Sequence, residues 1–256
     1  MSSPISGSCG EGDLKIILQI LRLLSQSLWS IARLRVSPSE VLTQYFEAGV
    51  RSILFVSVTM AFIGMLGVYQ TASQMAKVLP EYSVLGAGVI QMGIRELAPV
   101  MTGLLLSIRV GTGYAAEIGT MKVSDQIEAM KLSNVDPVEW LVVPRLLAST
   151  GAGLSLGVVG AIVGIATGMV VAYTGFSVLP DTYLSLRFVR MHDLTMGVTK
   201  CLAMGFAIPL VSCACGFEAE GGSEGVGRAT TKSVVLSSMV VILIDAFISV
   251  LWEVVM

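Results

Sequence analysis

Five long apolar runs, each long enough to cross a bilayer, alternate with polar stretches along this chain. They cover Ile53–Met75, Val84–Gly111, Leu146–Tyr173, Leu194–Cys215 and Val234–Val255. A different pattern precedes them. Between Asp13 and Arg35, the residues Lys15, Gln19, Arg22, Gln26, Ser30 and Arg33 recur every three or four positions, a polar stripe at helical period. Leu14, Leu18, Leu21, Leu28 and Ile31 belong to the wider apolar remainder. Such a helix suits the plane of a membrane interface; packing on a soluble partner is the alternative. A second helix is predicted from Pro38, which suits a first turn, with Ser37 as cap and Glu40 where a capping-box acid sits. Residues 1–12 read as a disordered tail, 13–50 as interfacial helices and 51–256 as one five-span domain. The predicted class is an all-α integral membrane protein.

Composition agrees. The 256 residues are 54% hydrophobic and 13% charged, where a soluble domain carries about 25% charge. The net charge of −2 gives no basic footprint for nucleic acid. The opening MSSPISGSCGEGD lacks the apolar core of a signal peptide, so the first span is expected to target the chain. Cys9, Cys201, Cys213 and Cys215 have no neighbouring histidine, and read as small apolar residues of a reduced chain rather than metal ligands. With the N-terminus in the cytoplasm, eleven Lys and Arg fall on the inner side and three on the outer, leaving Arg95 and Lys200 within spans. The positive-inside rule therefore predicts a cytoplasmic N-terminus and a C-terminus on the far side.

The two charges at Arg95 and Glu96 stand near the middle of the second run. A charge at mid-depth costs about 2.5–3.5 kcal/mol on insertion scales. Lys200 and Asp245 lie inside the fourth and fifth runs, and the four charges sum to zero. Adjacent helical residues point about 100° apart, so Arg95 and Glu96 each need a partner on another helix or a ligand. Arg offers a planar fork for phosphate and Lys a point charge. Structural ion pairing without a ligand is the competing explanation. His192 and Asp193 precede the fourth run without a nucleophile nearby, and Asp193 reads as a helix cap.

Two polar segments separate spans on the predicted cytoplasmic side. The first, within 114–145, contains a short helix at Ser124–Lys131 and a turn at Asn134–Pro137. The second, 216–232, is glycine-rich but lacks GxxxxGK[ST] and a preceding strand, which argues against nucleotide binding. In the third run, Gly153, Gly157, Gly160, Gly164 and Gly168 make overlapping small-residue pairs that suit close helix packing or a homodimer seam.

The run GIRELAPVMTGLLLSIRVGTGYAAEIGTMKVSDQIEAMKLSNVDPVEWLVVPR resembles the MlaE-type permeases of lipid-transporting ABC systems, with their REL-G-P, R-x-G, A-x-E-I-G-x-M and V-D-P elements. GGSEGVGRATTKSVV, followed by Ile244-Asp245, is similar to the same family's late loop and last span. Ala98 stands where the family commonly has glycine. The resemblance covers roughly residues 40 to 256. It implies five spans after an interfacial elbow helix, a homodimer in a bacterial inner membrane, a separate cytoplasmic ABC ATPase that binds the ATP, and an MCE-domain protein on the other side. No cofactor or catalytic residue is implied in this chain, and the cargo would be phospholipid or a related lipid. Arg95, Glu96, Lys200 and Asp245 would then lie at the lipid cavity or dimer core, with Val68, Met75 and Leu79 along the acyl-chain path. Glu117, Gln126, Glu128 and Lys131 would couple to the ATPase. Three readings compete: a proton-coupled secondary transporter using the same four charges, a lipid enzyme, which would need a nucleophile–base set that is not evident here, and a purely structural assembly subunit.

Overall fold

The computed structural model describes residues 9–32, 38–78, 85–185 and 189–255, with no strand among them. Helix α1 (Cys9–Ala32) leads to α2 (Pro38–Ala48), which a tight turn at Val50–Ser52 joins to α3 (Ile53–Val78). Then follow α4 (Leu85–Val123), the short α5 (Gln126–Leu132), α6 (Val138–Phe176), the single turn α7 (Pro180–Tyr183), α8 (Met191–Phe217) and α9 (Gly222–Val255). Five of these segments are long and apolar enough to cross a membrane, at the five expected positions.

The helices outrun the apolar runs that announced them. The stretch 216–232, expected as a loop, is helical from Gly222 onward. Gly221 and Gly222 take φ of +86° and +72°, the left-handed turn that reverses the chain. Beyond them Gly225 works as a small packing residue, while Gly227 faces open space. A Cβ on Gly225 would overlap the Glu220 carbonyl, and Ser233 donates to the Gly111 carbonyl at 3.3 Å. Likewise α4 continues through Val123, so most of 114–145 is helix. It stops where Asp125 turns left-handed at φ 58°, and α5 follows. The expected turn closes at Asn134, φ 59°, and Asp136 Oδ1 accepts the Val138 N–H at 2.9 Å. At the other end α1 starts at Cys9, so residues 9–12 are helix rather than tail. Residues 1–8, the cap at Ser37, Arg33, Arg35, Leu79, Pro80 and Arg187 lie outside the described residues.

Helix α8 forms the axis of the bundle: most of its apolar stretch is buried, whereas the other four spans are largely uncovered. It packs on α4, α6, α9 and α1, while α3 packs mainly on α6, with a smaller contact to α4. The glycine stripe of α6 makes both contacts possible. Added Cβ atoms would meet Gly205 and the Cys201 carbonyl from Gly153, Cys201 Sγ from Gly157 and Met60 from Gly160. From Gly168 the Cβ would meet Val68 and the Tyr183 hydroxyl, and one on Gly64 would overlap the Gly164 backbone. These five positions thus serve helix packing within one chain. The outer faces of α3 and α9 remain apolar and exposed, through residues such as Leu54, Phe62 and Leu66, and Leu243, Phe247 and Val250.

Candidate functional site

Helix α4 is locally distorted where its charges sit. Residues Gly93–Leu97 form a wide i→i+5 turn that holds both Arg95 and Glu96. Pro99 explains the widening: a proline inside a helix lacks its N–H, and its ring collides with the carbonyl four residues earlier, here that of Arg95. The two side chains diverge from this turn to different helices. Arg95 Nε lies 3.8 Å from Glu96 Oε1, a loose approach, and their short contacts are elsewhere.

Glu96 Oε2 meets Lys200 Nζ of α8 at 2.5 Å, and Lys200 Nζ also lies 2.7 Å from Asp245 Oδ1 of α9. Ser249 Oγ donates to Glu96 Oε1 at 3.2 Å. The Lys200 side chain is 0% exposed, so two carboxylates hold its ammonium inside the bundle. Such a set is stable only when each charge has its partner; removing one leaves a buried ion uncompensated. Lys200 lies about 14 Å along α8 from Met191, and Arg95 about 15 Å along α4 from Leu85, at 1.5 Å per residue.

Arg95 behaves differently. Its guanidinium extends toward the end of the bundle where α8 begins and α9 ends. Nη2 pairs with Glu253 Oε2 at 2.7 Å, and Nη1 comes within 4.0 Å of Asp193 Oδ1. Its side chain is 26% exposed and that of Glu253 74%, so this branch opens outward. Asp193 is a cap, as expected: its Oδ2 accepts the Arg190 N–H at 3.0 Å. It also accepts from Gln91 Nε2 at 3.3 Å, which ties α4 to the start of α8. Beside it, Trp252 Nε1 donates to His192 Nδ1 at 2.9 Å, fastening α9 to α8.

The four intramembrane charges therefore form one cluster, extended by Asp193, Ser249 and Glu253, which sequence reasoning did not include. A signal for them exists: Asp245, Ser249 and Glu253 follow each other at four-residue spacing on α9. Next to the cluster lies an apolar groove of about 190 Å³ between α4, α6 and α8. Its walls include Ile94, which precedes Arg95, and Cys201, which follows Lys200, together with Val158 and Ile162.

Other expected positions land differently. Val68 is fully buried in a second core with Ala72, Ile90, Ala172 and Tyr183, and lines no open path because the Gly168 face of α6 packs against it. Met75 is half-buried against the same core. Glu117 is half-exposed, and its Oε2 receives Arg145 Nη2 at 2.7 Å. Arg145 is buried and stacks over the Tyr114 ring, so it demands that counterion. Gln126 and Glu128 are exposed on α5, and Glu128 pairs with Lys122 at 3.4 Å. Lys131 lines a cavity against α1. Among the described residues no cluster of His, Cys, Asp and Glu could hold a metal ion.

Comparison with known proteins settles the family. Residues 41–251 match the permease MlaE family, from α2 to the last turns of α9. The chain belongs to the MlaE permease family. It is 32% identical to a probable ABC transporter permease protein of Synechocystis, over 89% of this chain and 87% of that one. A probable ABC transporter permease protein of Rickettsia bellii is 30% identical over 97% of both chains. One from Pyropia yezoensis is 28% identical over 90% of this chain and 88% of that one. The matched segment contains Arg95, Glu96, Lys200, Asp245 and Ser249; Glu253 falls two residues beyond it.

Proposed function

We propose that this MlaE-family permease is the membrane subunit of an ATP-driven lipid transporter, moving phospholipid or a related lipid between the inner membrane and an MCE-domain partner. The observation that carries this reading is the split ion cluster. Lys200 is locked between Glu96 and Asp245 and holds three helices together. Arg95 reaches a partly open rim with its planar fork, the side chain best suited to a phosphate. A lipid headgroup would displace the exposed Glu253 from Arg95, while a tail enters the apolar groove beside Ile94 and Cys201. The headgroup contact is thus assigned to Arg95, and Lys200 becomes a positioning residue.

The permease names of the relatives support a separate ABC ATPase as energy source. The exposed side of α5, with Gln126, Glu128 and the 90% exposed Leu132, offers that motor a protruding surface. Glu117 contributes from behind, by tying the base of this loop to Arg145. The uncovered apolar face of α9 suits a homodimer, and the basic bias of the α5 end supports a cytoplasmic position for that end and the N-terminus.

Purification of the tagged chain from its native membrane in gentle detergent, followed by mass spectrometry of proteins and lipids, tests the assembly. An ABC ATPase, an MCE-domain protein and bound phospholipid are expected together. Reproducible absence of both proteins, with transport that depends on a proton gradient, would instead favour use of Glu96, Lys200 and Asp245 as a proton relay.

A further inference from the structure

A cavity of about 570 Å³ lies far from the ion cluster, between α1 and the loop that bears α5. Lys122 on its wall is about 40 Å along α4 from Arg95, at 1.5 Å per residue. The polar stripe of α1 faces into it: Gln19, Arg22 and Gln26 form one wall, and Lys122 and Lys131 stand across from them. The floor is apolar, made by Leu23, Ile127 and Phe217. Three cations thus share the cavity with one acid, Asp136, whose Oδ1 already accepts the Val138 N–H. Lys122 is shared with Glu128, but Arg22 and Lys131 make no ion pair among the described residues. Outside the cavity α1 turns Leu21 and Trp29 to the surroundings. An amphipathic helix with such an outer face lies at a bilayer interface, and basic pockets at that depth suit anionic headgroups.

We propose that this cavity binds the phosphate headgroup of an anionic phospholipid from the leaflet in which α1 lies, with the acyl tails running beside Leu18 and Leu21. The cations supply the charge complement, the glutamines add donors, and the apolar floor accepts the glycerol end. The site is separate from the Arg95 rim and stands whether or not the chain moves lipid. It also gives α1 a function: lipid bound there braces the α5 loop against α8.

The test uses the full-length chain in mild detergent, titrated with short-chain phosphatidylglycerol, short-chain phosphatidylcholine or inorganic phosphate while its melting midpoint is followed. Wild type is expected to be stabilised at lower concentrations of phosphatidylglycerol than of phosphatidylcholine. Each cation should contribute about five-fold in affinity. R22Q/K131Q should lose the preference and R22K/K131R should keep it. R22Q alone, at an exposed position that the fold tolerates, should lose about five-fold. Equal effects of the two lipids on wild type would overturn the proposal, as would a preference that survives R22Q/K131Q. Inorganic phosphate acting as well as phosphatidylglycerol would reduce the cavity to an anion site. Loss of the co-purifying ATPase from R22Q/K131Q, with the lipid preference intact, would show a protein-docking surface instead.

Discussion

Replacing Lys200 by methionine should unfold this bundle more readily than any other single change in the cluster. The ammonium is wholly buried and lies 2.5 Å from Glu96 and 2.7 Å from Asp245. Breaking a buried ion pair by removing one partner costs about 3–5 kcal/mol, because the other charge stays uncompensated. For a chain of this size about 2–4 °C of melting temperature follows each kcal/mol, so Lys200→Met should melt roughly 6–20 °C below wild type. The two acids should not share the loss equally. Glu96 keeps Ser249 at 3.2 Å and Arg95 at 3.8 Å, whereas Asp245 has no second cation within ion-pair distance among the described residues. Asp245→Asn should therefore rescue Lys200→Met better than Glu96→Gln does. The triple neutral variant should return to wild-type stability, since an uncharged set of similar volume avoids the desolvation cost. Thermal unfolding in detergent, followed by size-exclusion chromatography of the surviving fraction, measures each step. A Lys200→Met melt within about 2 °C of wild type, or a better rescue by Glu96→Gln, would show that Lys200 is not the charge that ties the two acids together.

Further consequences can be checked by the same melting assay. Glu117→Leu should cost about 3 kcal/mol by stranding the buried Arg145, while Arg145→Met, which leaves the half-exposed Glu117 to water, should cost less. Equal losses would show that the pair is not asymmetric. Gly64→Ala should cost about 1–3 kcal/mol through overpacking, because its Cβ would overlap the Gly164 backbone; Gly67→Ala, which faces open space, should stay near wild type. Trp252→Phe removes the 2.9 Å bond to His192 and should cost about 1 kcal/mol. A neutral result there would mean that the α8–α9 fastening at that end rests on packing alone.

Hydropathy revealed the five spans because apolar runs of bilayer length are themselves the physical signal. It could not find where the helices end. Gly222–Lys232 and Thr112–Lys122 are polar or glycine-rich, yet they stay helical where the two helices pack on each other, with Gly119 against Val226 and Ser233 bonded to Gly111. The charge cluster was legible in part. Helical geometry alone separates Arg95 from Glu96, and their short contacts do run to α9 and α8. Asp193 and Glu253 were hidden because each sits at a span end, where a charge needs no explanation. Val68 misled because residue type states what a side chain can do, not which way its helix turns it. The Gly168 face buries Val68, and Arg145 captures Glu117. The α1 stripe shows the same limit, since its polar side lines a protein cavity rather than facing only water.

In the proposed transporter Arg95 grips a lipid headgroup at the rim of a cluster whose interior is structural. Phospholipid bound per chain, extracted from purified wild type and from Arg95→Gln, measures it most directly, with the melting temperature and the co-purifying ATPase as checks on assembly. Arg95→Gln should retain its partners and melt close to wild type, because its pairs with Glu253 and Asp193 lie at the rim, yet carry several-fold less phospholipid. An assembled Arg95→Gln protein with the wild-type amount of lipid would rule out a headgroup contact and leave Arg95 as one more tie between helices.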